Sequence, residues 1–141
     1  MPVRSLPDLS LALLLSATAG ASAHESSSYV QKLQDSLVSH AASDFAASDS
    51  NPTGFRKVDM RYRENEHGAR TYMLCGQVRT GVGAGASWVD FATVKTKPFE
   101  QWLGSAAIET CALATPVSSH DNDLSDLLEA KRECGQSEGK P

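Results

Sequence analysis

"YMLCGQVRTGVGAG", residues 72–85, joins an apolar run with a cysteine inside it to three glycines at alternate positions. How this stretch is read decides the fold. Gly81, Gly83 and Gly85 are spaced GxGxG. A dinucleotide cradle instead needs GxGxxG between a strand and a helix, because the helix N-terminus holds the pyrophosphate. The residues that follow, "SWVDFATVK" (87–95), are aromatic and β-branched, which is strand composition. A phosphate loop fails as well, since no GK[ST] is present. The glycines therefore read as the turn of a β-hairpin. The run before them, "ARTYMLCGQV" (69–78), is apolar on both faces around Tyr72 to Cys75 and suits a central strand covered on both sides.

Upstream, "FRKVDMRYRE" (55–64) alternates, with Val58, Met60 and Tyr62 on one face and Lys57, Asp59, Arg61 and Arg63 on the other. That is the pattern of a half-buried strand, and "NEHG" (65–68) turns it into the next one. Before it, Val30, Leu33, Leu37, Ala41 and Phe45 recur at three- and four-residue steps, which lines one face of a helix over 28–45. Ser26, Ser27 or Ser28 can cap that helix, and "ASDSNPTG" (47–54) ends it.

Downstream, residues 97–113 support two readings. Pro98 with Glu100 would open a short helix, but Gly104-Ser105 interrupts it, and "AAIETCAL" (106–113) is expected to run as a fourth strand. "DLSDLLEAKREC" (123–134) forms a helix whose stripe would be Leu124, Leu127, Ala130 and Cys134, and residues 136–141 form a disordered tail. The expected class is α+β: an N-terminal helix, a three- to four-stranded antiparallel meander and a C-terminal helix, because sheet and helices each have one apolar face to bury.

The ends and the composition bound the function. Arg4, the apolar stretch Leu9 to Ala19 and the small residues Ala21-Ser22-Ala23 have the order of a secretory signal over residues 1–23, with His24 first in the mature chain. The apolar stretch is too short to cross a bilayer core of about 30 Å, so no permanent membrane anchor is expected. Taking 23 residues from 141 leaves 118, room for one domain over 24–135. The expected location is the periplasm or the exterior. A net charge of −4 gives no bulk attraction to nucleic acid. Cys75, Cys111 and Cys134 contain no CxxC, and an oxidising compartment makes one disulfide plus one leftover thiol the default, with three pairings open.

The "YMLCGQV" strand, the aromatics Trp88 and Phe91, and the short C-terminal helix ending in Cys134 resemble a loosely defined group of small exported bacterial proteins. In that group a V-C-G-x-V central strand follows an N-terminal helix and an F-x-x-V strand, matched here by Phe55 to Val58. The resemblance implies no activity. It does imply a pairing of Cys75 with Cys134, leaving Cys111 over. Loop closure does not discriminate, at about 4 kcal/mol for that pair against about 3.5 for Cys111 with Cys134. The expected placement of Cys75 on a central strand and Cys134 on a buried helix stripe agrees with the implied pair.

No nucleophile-elbow or other catalytic pattern is present, which favours a non-enzymatic binding module of the bacterial envelope. Lys57, Arg61 and Arg63 share one strand face that could dock an acidic protein or an anionic envelope component, although Asp59, Glu64 and Glu66 are interleaved. Trp88 and Trp102 are candidates either for an exposed pair or for the core. The alternative function is copper handling, with no cofactor otherwise expected. A histidine at a mature N-terminus chelates Cu(II) through its amine and ring, so His24 is the candidate ligand and His40, His67 or His120 would have to complete the site.

Overall fold

The computed structural model describes residues 27–50, 52–117 and 123–137. Residues 1–23, expected to be a signal segment, His24, His120 and the end of the tail lie outside them. In chain order the elements are α1 (Ser27–Ala47), β1 (Gly54–Glu64), β2 (Arg70–Thr80), β3 (Ser87–Val94), β4 (Glu100–Leu103), α2 (Ser105–Ala112), β5 (Thr115–Pro116) and α3 (Ser125–Ser137). The five strands form one antiparallel sheet in the order β4-β3-β2-β1-β5. β2 lies in the middle, and Tyr72, Met73, Leu74 and Cys75 are all buried there, as the two-sided apolar pattern required. The β2–β3 hairpin closes at Thr80 opposite Ser87. Gly81 and Gly83 turn it with φ of 90° and 56°, a region glycine enters without a Cβ penalty.

One sheet face carries the main core. α1 buries Leu33, Leu37, Val38, Ala41, Ala42 and Phe45 against Val58, Met60, Tyr72, Leu74, Val78 and Phe91, with Leu124 and Leu128 alongside. The Phe45 and Phe91 rings meet edge to face at 5.1 Å, a geometry that adds about 0.5–1.5 kcal/mol beyond burial. Among the described residues the opposite face is covered by α2 alone, over a smaller cluster of Met73, Cys75, Ala92, Val94 and Ala107.

Residues 97–113 reverse the expected order of strand and helix. The strand comes first, with Glu100 to Leu103 paired to Val94 to Phe91, and "AAIETCAL" is α2 rather than a fourth strand. Gly104, at φ 69°, turns the chain between them. Ala106, Ala107 and Ala112 then favour helix, and only Ala107 is buried, so a short helix satisfies the segment. A fifth strand, Thr115–Pro116, adds to the outer edge of β1.

The C-terminal helix is present but rotated from its expected phase. Leu124 and Leu128 are buried, whereas Leu127, Ala130 and Cys134 are exposed. At about 100° per residue Cys134 lies roughly 80° around the helix from Leu124. The implied disulfide is therefore corrected: Cys75 bonds to Cys111, with a Cα–Cα distance of 6.1 Å, and Cys134 is the free thiol. Cys75 points to the α2 face and α3 packs on the other, so the sheet itself separates Cys75 from Cys134. The helix continues through Gly135 to Ser137, into the segment expected to be disordered.

Candidate functional site

Phe55 and Val58 both enter the main core although they stand three residues apart, which an uninterrupted period-two strand forbids. The chain resolves this with a β-bulge. Arg56 pairs with Gln77 and Asp59 with Cys75, so Lys57 and Val58 together oppose the single residue Gly76. A Cβ on Gly76 would stand 2.8 Å from Val58 Cγ2 and 3.0 Å from Phe91 Cε1, so glycine is what lets the bulged strand close. The F-x-x-V and C-G-x-V segments are thus the two sides of one bulge. Its strained member is Lys57, at φ 54°, where a side chain other than glycine costs roughly 1–2 kcal/mol.

Asp123 clips the bulge from outside. Its carboxylate accepts from the N–H of Lys57 (3.2 Å), Val58 (3.1 Å) and Ser125 (2.9 Å), and also from the Ser125 hydroxyl. Leu124 N–H donates to the Val58 carbonyl at 2.8 Å, which completes the seam. Burial pushes the Asp123 pKa up, but the Ser125 hydroxyl and the three backbone N–H groups outweigh it and hold the carboxyl below its usual range.

All of this fixes the Lys57 backbone, while its side chain is exposed and has no hydrogen-bond or ion-pair partner among the described residues. Lys57 lines a cavity of about 330 Å³ between α2 and the sheet, whose lining also includes Arg61, Gln77, Asp90, Ala107 and Ile108 over the Cys75–Cys111 bridge. Arg61 is committed to the fold. Its Nε donates to both Asp59 oxygens at 2.9 and 3.0 Å, and its Nη1 donates to the Cys111 carbonyl at 3.1 Å, where it caps the α2 C-terminus. Gln77 accepts from Arg56 Nε at 2.7 Å and donates to Asp90 Oδ1 at 3.4 Å.

The three basic residues of the expected partner surface are therefore divided. Lys57 and Arg61 line the first cavity, and the exposed Arg63 lines a second of about 440 Å³ with Met73, Val94, Glu100 and Trp102. The tryptophans divide as well. Trp88 lies under the Arg56 guanidinium, 4.2 Å from the ring centroid, and Trp102 donates to Glu100 at 3.2 Å; each is about two-fifths exposed, so neither is a core residue. His40 stacks on Phe99 at 4.1 Å beside Asp44, and His67 sits in the β1–β2 turn beside Glu66. Among the described residues no group of three His, Cys, Asp or Glu side chains is placed to hold a metal, and His24 lies outside them.

Asp90, Gln77, Ile108 and Asp123 were not singled out from the sequence. The available signal was the three-residue step from Phe55 to Val58, which marks a bulge and hence a special backbone position at Lys57. Comparison with known protein families, with curated proteins and with solved structures found no match.

Proposed function

We propose that the protein is a non-enzymatic, extracytoplasmic binding module that engages a component of the bacterial envelope through the α2 side of its sheet, with Lys57 as the central contact. The observation that carries this reading is the conformation of Lys57. A left-handed bulge position is one that glycine fills with least strain, and Asp123 and Gly76 serve the backbone there whatever the side chain. A lysine therefore brings strain, its side chain has no hydrogen-bond or ion-pair partner among the described residues, and the residue lines a surface cavity. Strain held at a surface cavity is a mark of a functional position.

The test is co-sedimentation of the purified mature chain with isolated bacterial cell-wall sacculi and, separately, with vesicles of envelope lipid. Wild-type retention that falls at least tenfold in both Lys57→Gly and Lys57→Glu supports the reading. Retention unchanged in both variants contradicts it.

A further inference from the structure

Three strands and α2 line the Lys57 cavity. Strand β1 supplies Lys57 and Arg61, the guanidinium of the latter already neutralised by Asp59. The middle strand β2 supplies Gln77 and β3 supplies Asp90, while Ala107, Ile108 and Ala112 of α2 form an apolar wall, with Ile108 51% exposed. The α2 C-terminus ends on this wall, with its Cys111 carbonyl capped by Arg61. A multiply charged anion such as phosphate is poorly matched to such a site. A single carboxylate with a hydrogen-bond donor and a small apolar group close to it is well matched.

We propose that this cavity captures the free C-terminal end of a short peptide, an inference that rests on the binding-module reading above. The terminal carboxylate meets the Lys57 amine, the N–H of the last residue donates to Asp90, and the last side chain packs on Ala107 and Ile108. The dimensions agree. Lys57, Gln77 and Asp90 lie on three successive strands, so the outer backbones stand about 10 Å apart and the side chains close on one terminal residue of about 3.5 Å extended length. A volume of about 330 Å³ is at the lower end of the 300–1,000 Å³ of small-molecule sites, which suits one or two small residues. Capture of a terminal carboxylate is a recurrent mode of peptide recognition.

The experiment is isothermal titration of the mature chain with N-acetyl-alanyl-alanine and with the same dipeptide as its C-terminal amide. The acid is expected to bind saturably and at least tenfold more tightly than the amide. Lys57→Gly should remove that preference by weakening the acid alone, and Asp90→Ala should weaken acid and amide together. Arg63→Gln, in the second cavity, should leave both unchanged. Equal affinity for acid and amide, acid binding that survives Lys57→Gly, or no saturable binding by folded protein would each overturn the proposal. If the dipeptide fails while envelope retention still depends on Lys57, the ligand class is wrong and the binding-module reading stands. If retention is also indifferent to Lys57, both fall.

Discussion

The two faces of the sheet are held by different means. On the α1 and α3 side the chain buries a continuous apolar cluster centred on Phe45, Phe91, Leu37 and Leu74. On the other side α2 contributes one fully buried side chain, Ala107, and is kept in place by the Cys75–Cys111 bridge and by Arg61 bonded to the Cys111 carbonyl. Apolar burial fills space, whereas a covalent staple needs only one point of attachment. The stapled face accordingly keeps two cavities beside α2, and the apolar face carries the stability that allows it.

Breaking the apolar face should have the largest effect. Phe91→Ala is expected to cost roughly 3–5 kcal/mol of unfolding free energy, measured by urea denaturation, because a fully buried ring leaves a cavity among packed neighbours. The stapled face should respond differently. Replacing Cys75 and Cys111 together by alanine is expected to cost roughly 2–4 kcal/mol, through the 36-residue loop that the bridge closes. Amide exchange in that variant should rise sharply across Ser105–Ala112 while α1 stays protected. Uniform loss of protection would mean that α2 belongs to the core after all.

The seam that joins the faces gives smaller effects. Gly76→Ala should cost roughly 1–3 kcal/mol, since the new methyl group meets Val58 and the Phe91 ring inside normal contact distance. Asp123→Asn should cost about 1–2 kcal/mol at neutral pH by weakening the bonds to the bulge N–H groups. Its pH dependence has a definite sign. The Asp123 carboxyl is held below its unfolded value, so its contribution is complete above that value and is lost as pH falls through the lower, folded pKa. The acid-side loss of stability should therefore be shallower in Asp123→Asn than in the wild type.

The helix of 28–45, the hairpin at the glycines and the burial of Tyr72 to Cys75 were legible because each rests on a local period or on turn chemistry. What failed depended on contacts distant in the chain. Leu127 and Leu128 fit a stripe with Leu124 equally well, and it is the attachment of Asp123 and Leu124 to Val58 that selects Leu128. The disulfide was missed for the same reason, since the phase of α3 turns Cys134 outward, and the opposite face of the sheet was not assigned a helix until 105–112 formed one. Of the basic site, Lys57 could be named from its strand face. The commitment of Arg61 to Asp59 and to the α2 C-terminus could not, because it depends on a helix that the sequence left ambiguous.

The smallest effect is the most direct test. If the fold bears a strained Lys57 for the sake of its side chain, Lys57→Gly should relieve roughly 1–2 kcal/mol of left-handed strain against about 0.5–1 kcal/mol of added chain entropy. Urea unfolding of that variant should show a midpoint equal to the wild type or higher, by up to about 1.5 kcal/mol in stability. A clearly lower midpoint would show that the lysine side chain supports the fold, and would remove the reason for assigning it to a ligand.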